Sequence, residues 1–336
     1  MDYSLLKFTF HWNKKSILTW LQVLIIDKQQ KIKRKREKKL MAEVKTNLRQ
    51  ANTKAYVVGI LSEKALEVKT EEGKTKVTGH LTIKTSDVNF IKFTVSVNEK
   101  TNAGTDNKCY SGILTVMEEY KSIAEVGEEE ATRVKVSGDV NVFTTRDGKP
   151  GVSYKSNFFN RLKADEEFEP KAEFSVETYI TNISPELNTD GEETGRIVVS
   201  GWCPTYNGIE PVELVAEGET GKAVENTFKD GQTVEFYGEI INNRIETITE
   251  IPVAIGKPRK KVEVSYKNDL LITGASEAYE ENVTPEIPYE DGVIEAALQE
   301  RKNKLEEAKA KAQSGNKAPA ATTKPSGAAH GRSLGF

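Results

Sequence analysis

Cations and aromatic side chains recur at alternate positions along strand-like stretches in the first half of the chain, and that spacing has a definite chemical use. Val77, Leu81 and Ile83 alternate with Lys76, His80 and Lys84, and Ile91, Phe93 and Val95 alternate with Phe90 and Lys92. With the branched apolar residues pointing inward, Lys76, His80 and Lys84 share one outer face with Phe90 and Lys92. A later stretch repeats the device. With Tyr154 and Phe158 inward, Lys155, Asn157, Phe159 and Arg161 point outward, and Arg146 and Lys149 occupy the turn ahead of them. An exposed phenylalanine offers a nucleobase a stacking surface worth about 1–3 kcal/mol, and lysines neutralise backbone phosphates without reading sequence. The candidate nucleic-acid-binding set is therefore Lys76, Lys84, Phe90, Lys92, Arg146, Lys149, Lys155, Phe159 and Arg161. Plainer roles stay open. Lys76, Lys84 and Lys92 suit ordinary solubility charges, His80 an exposed strand position, and Phe159 packing under a helix or against a second barrel. Trp202 and Tyr206 offer two more rings, but their acidic surroundings favour core or interdomain packing.

Catalytic constellations are sparse. Cys109 and Cys203 are the only cysteines and form no C-x-x-C pair, which argues against a disulfide framework and a cysteine zinc site. The histidines, His11, His80 and His330, lie far apart, so histidine-based metal or triad chemistry has no foothold. The stretch Ala216 to Ala223 resembles a phosphate-binding loop only in outline, since Ala216 replaces the first glycine and Ala223 the magnesium-binding hydroxyl. No compact carboxylate grouping suggests a two-metal nuclease. The chain is expected to be no enzyme and to need no cofactor and no metal.

The elements that must position these residues follow from hydrophobic period. Strands are expected at 56–61, across 77–83 and 91–97, at 134–142 and at 152–162, with a short extended piece at 66–69 and turns at Ser86-Asp87 and Arg146 to Lys149. Between the third and fourth, Ile113 to Val126 reads as a helix closed by Gly127. Three strands, a helix and two strands within about a hundred residues is the order of the OB-fold, a five-stranded Greek-key barrel. The plan repeats over 172–274, where Val234 to Ile241 echoes Val134 to Asn141. Gly138 and Gly238 are each expected at a bend or bulge. The fold class is thus mainly β: two tandem OB-fold barrels plus a C-terminal helix and a disordered tail. The domains are a first barrel at 54–163, a short acidic linker, an acidic second barrel at 172–274, a helix at 286–313 and a tail at 314–336.

Charge is distributed unevenly. Residues 1–40 carry 11 basic and 3 acidic side chains, residues 54–163 carry 17 and 15, and residues 164–280 carry 10 and 24. A polyanion should therefore prefer the first barrel. The N-terminal extension, 1–53, opens with an apolar run, Ile17 to Ile26, that falls short of the roughly 20 residues a bilayer needs. Basic residues and then Met41 follow, and the reading favoured is Met41 as the start, with 1–40 not translated. A basic membrane-surface helix and a DNA-contacting arm are the rivals. No membrane partner is expected.

With Tyr110-Ser-Gly-Ile-Leu-Thr-Val-Met117, Glu119 to Gly127 and Ala131 to Gly138, residues 54–163 resemble the OB domain of single-stranded-DNA-binding proteins of bacteriophages and mobile elements of Gram-positive bacteria. The resemblance extends to the tandem plan and the C-terminal helix. It implies sequence-tolerant binding of single-stranded DNA in replication or recombination, in the bacterial host cytoplasm. It also implies contact with replication or recombination proteins through the second barrel or the C-terminal helix and tail. His330 and Arg332 stand where wider members of the class carry acidic residues before an apolar tip, here Leu334 and Phe336. The other class left open is an OB-fold interaction or structural protein that binds no nucleic acid.

Overall fold

The computed structural model describes residues 48–163, 165–251 and 259–315. The expectations for Met41, for residues 1–40 and for the tail beyond 315 lie outside the described residues.

β1 (Thr53–Glu71), β2 (Lys74–Lys84), β3 (Phe90–Asn98), β4 (Arg133–Thr144) and β5 (Pro150–Arg161) close into a barrel in the order β1-β2-β3-β5-β4-β1. All pairings are antiparallel except β3 with β5, where Phe93 lies opposite Tyr154. Within this barrel β1 serves two partners because it bends. Its register with β2 slips between Leu61 and Glu63, so residues 55–60 pair with β4 while the rest runs along β2. The stretch expected as a strand and a separate extended piece is therefore one element. At the crossing Gly59 is required, since a Cβ there would lie 2.3 Å from the Lys84 carbonyl oxygen.

The expected helix is two helices, α1 (Lys108–Glu119) and α2 (Ile123–Val126). Asn107 caps α1 by accepting from the Cys109 N–H, and the apolar stripe of α1 buries Ile113 and Val116. The break falls at Tyr120, whose backbone is extended and whose ring is buried. Ser122 and Glu125 then form a capping box that restarts the helix, and Gly127, at φ 86°, ends it.

The plan repeats in β6 (Lys171–Leu187), β7 (Glu193–Thr205), β8 (Gly208–Glu217), α3 (Gly218–Thr227), β9 (Thr233–Ile251) and β10 (Arg259–Ala275), closed as β6-β7-β8-β10-β9-β6 with β8 and β10 parallel. The fold is mainly β, two tandem OB-fold barrels followed by α4 (Asp291–Gly315). Gly138 and Gly238 lie opposite bulges, at Ser156-Asn157 of β5 and Thr273 of β10. Added Cβ atoms there would lie 2.4 Å from the Lys155 carbonyl oxygen and 2.0 Å from that of Leu271. The stretch Ala216 to Ala223, loop-like in outline, runs from the end of β8 into α3, where Lys222 pairs with Glu219 at 3.0 Å.

The barrels are joined by backbone pairing. β1 and β6 run antiparallel from Thr53↔Val176 to Val58↔Lys171, and the buried side chains of both barrels form one contiguous cluster rather than two separate cores. Residues 48–52, expected within the N-terminal extension, are a strap on the second barrel. The Ala51 N–H donates to the Pro204 carbonyl at 2.9 Å, and the Arg49 guanidinium holds the Glu177 carboxylate, which is 1% exposed. A smaller cluster of Ile209, Tyr289 and Ile294, with Leu48, Trp202 and Leu298 against it, fixes α4 on β8. Trp202 therefore packs as expected, whereas Tyr206 is 89% exposed in the β7–β8 turn.

Candidate nucleic-acid interface

β2 and β3 bury Val77, Leu81, Ile83, Ile91, Phe93, Val95 and Val97, and this phase sends Lys76, His80, Phe90 and Lys92 to the outer face. Register sets the neighbours: His80 opposes Thr94, Thr82 opposes Lys92, and Lys84 opposes Phe90. Lys76, His80, Lys92 and Thr94 line a shallow depression of about 490 Å³. Lys92 and Thr94 also border a deeper cleft of about 620 Å³ between the barrels, so the depression and the cleft are adjacent.

The β4–β5 turn overhangs this cleft. Thr145 and Pro150 line it, and between them Arg146 and Lys149 are exposed. The turn is tied by the Thr145 N–H to the Lys149 carbonyl at 2.8 Å and by Gly148 at φ 81°. Phe143 also faces the cleft, 38% exposed. The sequence reading passed over this ring, although the inward phase of Val140 and Val142 already placed it outward.

The β2–β3 turn is stitched to β9, which fixes the place of Phe90. Asn89 donates its side-chain amide to the Ile240 carbonyl at 2.9 Å and accepts from the Asn242 N–H at 2.8 Å. Asn242 in turn donates to the Phe90 carbonyl at 2.6 Å. Phe90 is half-buried, its backbone held against β9.

The cations on this surface are not equivalent. Lys92 is exposed and has no ion-pair partner among the described residues. Lys76 lies 2.9 Å from Glu71, and His80 lies 3.9 Å from Glu63. Lys84 is held between Glu128 at 2.8 Å and Asp87 at 3.0 Å, and those hydrogen bonds, Glu128 first, keep its ammonium above the usual lysine range. Its charge is satisfied internally. The opposite wall of the cleft is acidic, with Glu186, Glu213 and Asp269, of which Glu186 and Asp269 are engaged by Arg196.

Two expected members lie elsewhere. Phe159 is buried, 6% exposed, edge-on to Phe93 with ring centres 6.0 Å apart, while Phe158, expected inside, is 58% exposed. The cause is the β5 bulge. Ser137 pairs with Phe158 but Asp139 with Lys155, so β5 holds one residue more than β4 across Gly138, and every side chain beyond Ser156 changes face. Ser156 secures the bulge by donating to the Ser137 carbonyl at 2.6 Å and accepting from the Phe158 N–H at 3.0 Å. The same slip takes Arg161 off the outer face. Its guanidinium lies 4.7 Å from the centre of the Tyr120 ring and donates to the Glu119 carbonyl at the end of α1. Lys155 is exposed as expected, with Asp139, Asn141 and Lys54 around it, and it pairs with Thr94 of β3, so it borders the β2–β3 face from β5.

Among the described residues, no group of three or more His, Cys, Asp or Glu side chains is placed to hold a metal ion, and no helix is long and apolar enough to cross a membrane. In comparison with known proteins, the model of the family described as YorF matches residues 51–311. No curated protein matches the sequence. Among solved structures, the chain is similar to the wild-type single-stranded DNA binding protein from Thermus aquaticus, with a TM-score of 0.41 and 9% identity over 71% of this chain and 98% of that one. A deletion mutant of the Thermus aquaticus protein gives a TM-score of 0.40 at 11% identity, over 70% and 98% of the two chains.

Proposed function

The chain belongs to the YorF family, and for this member we propose sequence-tolerant binding of single-stranded DNA along the outer face of β2 and β3 and into the cleft between the barrels. The bound strand is coated, not cut or joined, during replication or recombination in a bacterial host cytoplasm. The observation that carries the reading is the position of Lys92. It is exposed, unpaired among the described residues, on the same face as Phe90, and common to the depression and the cleft.

The roles follow from the chemistry. Lys92, with Arg146 and Lys149 where the β4–β5 turn overhangs the cleft, meets phosphates as point charges that carry no sequence information. Phe90 supplies a π face for one base, and Phe143 a second deeper in the cleft. Lys76 adds a charge partly offset by Glu71. Lys84 adds little, because Glu128 and Asp87 already neutralise it. Glu213 and its acidic neighbours across the cleft turn phosphates toward the first barrel.

The internal pairing of Lys76 and Lys84 favours a second reading, a protein-interaction barrel. Fluorescence anisotropy of a labelled oligothymidylate with the full chain separates the two. The DNA reading expects binding that weakens steeply between about 50 and about 200 mM salt and that is equal on mixed sequence. Binding that is absent or indifferent to salt hands the site to a protein partner.

A further inference from the structure

Pairing β1 with β6 fuses the two barrels along one sheet, and the consecutive strands β5-β4-β1-β6-β9-β10 present a continuous outer face that crosses the seam. That face is divided by charge. On the first-barrel half three lysines, Lys54, Lys135 and Lys155, oppose one carboxylate, Asp139. On the second-barrel half three carboxylates, Glu173, Glu235 and Glu239, oppose one lysine, Lys171. Local pairs absorb part of this, Lys54 with Asp139 at 2.8 Å and Lys171 with Glu173 at 3.0 Å. Lys135 and Lys155 on one half, and Glu239 on the other, have no ion-pair partner among the described residues. Each half also carries one exposed ring, Phe158 at 58% and Tyr237 at 49%.

We infer that this face docks a second copy of the chain. A two-fold axis parallel to the strands, placed over the seam, lays the basic half of one copy on the acidic half of the other, twice over. That reciprocity is what an isologous interface requires. β4 and β9 are each the second strand from the seam, so the operation brings Lys135 of one copy over the strand that bears Glu239 of the other. β5 and β10 are each the third strand, and Phe158 lies in the row Ser137–Tyr56–Glu173–Glu239–Leu271, so Phe158 arrives over the half-buried Leu271. Six strands at about 4.8 Å spacing, over about six residues of length, cover on the order of 1,200 Å² in total when two such faces meet. That clears the roughly 1,000 Å² expected of a specific contact. The inference is independent of the DNA-binding reading, because Phe90, Lys92, Arg146 and Lys149 lie off this face.

Sedimentation velocity of the full chain, with and without oligothymidylate, tests it. The wild-type chain should sediment as a dimer. Lys135→Glu and Glu239→Lys should each raise the dimer dissociation constant about tenfold or more, and the double variant should regain the dimer because the charges are exchanged rather than lost. Thermal melting and anisotropy on oligothymidylate check that each variant is folded, and per-chain DNA affinity should stay at the parent value. A monomeric wild-type chain overturns the inference, as does a dimer that ignores both single reversals. So does a Lys135→Glu chain whose DNA affinity falls while its oligomeric state never changes, which would make this face part of the DNA track.

Discussion

The phenolic hydroxyl of Tyr120 donates to the backbone carbonyl of Phe159 at 3.0 Å, tying the break between α1 and α2 to β5 just beyond its bulge. The same oxygen accepts from the Arg161 N–H at 3.0 Å. One buried side chain thus satisfies a donor and an acceptor of a strand that would otherwise leave both inside the barrel floor. Tyr120→Phe keeps the ring and removes both hydrogen bonds. The expected loss is about 1–3 kcal/mol of stability in urea unfolding, with DNA affinity unchanged.

Phe159 and Phe158 should behave in opposite ways. Phe159→Ala opens a cavity beside Phe93 and should cost about 3–5 kcal/mol. Phe158→Ala removes an exposed ring and should alter stability by less than about 0.5 kcal/mol. Denaturant midpoints measured on the two variants decide between this assignment and an outward Phe159.

On the proposed DNA track the two lysines of opposite character give a sharp contrast. Lys92→Ala should flatten the log–log salt dependence of oligothymidylate binding by about 0.7, one phosphate contact on a single strand. Lys84→Ala should leave that slope alone, because Glu128 and Asp87 already hold its charge. Phe90→Leu should weaken binding by about 1–3 kcal/mol at constant slope. Equal slopes for Lys92→Ala and the parent would remove Lys92 from the interface.

Arg49→Ala strips the guanidinium from Glu177 and leaves a nearly inaccessible carboxylate beside the Asn52 N–H, at 3.0 Å, and the neutral Tyr289 side chain. Breaking a buried pair by removing one partner costs about 3–5 kcal/mol, and chemical unfolding should register it. Replacing Glu177 by Gln in the same background should recover part of the loss.

The two thiols should differ in reactivity. Burial pushes the Cys203 thiol up to about 12, so it stays protonated and shielded through the neutral and mildly alkaline range, whereas Cys109 is half-buried on α1. Iodoacetamide at mildly alkaline pH should modify Cys109 alone in the folded chain and both cysteines in denaturant. Rapid native labelling of Cys203 would contradict its burial.

Strand period was legible wherever alternation ran unbroken. Val77 to Ile83, Ile91 to Val97 and Val134 to Val142 each disclosed their inner face, and with them Lys92 and Phe90. Phase was lost in β5, where period-two counting cannot sense one extra residue and Phe159 exchanged places with Phe158. Gly138 marked the spot, yet a glycine tells that a strand bends and not which of two paired strands carries the insertion. The strap at 48–52 escaped because its single charge, Arg49, acquires meaning only beside Glu177, over a hundred residues away. Segment-wide charge also misled in detail, since it counts Lys84 and Lys92 alike while three-dimensional pairing silences one of them.

The pairing of β1 with β6 makes the contact between the barrels intramolecular. Two barrels meeting as separate chains would come apart on dilution, but here the second is tethered to the first by only the residues between Arg161 and Lys171, so each sees the other at a fixed, high effective concentration. The pairing also fills the edges of both strands, which as isolated barrels would offer open hydrogen-bonding rows to any passing strand. Dilution in the cell can separate copies of this chain, but it leaves the tandem pair together.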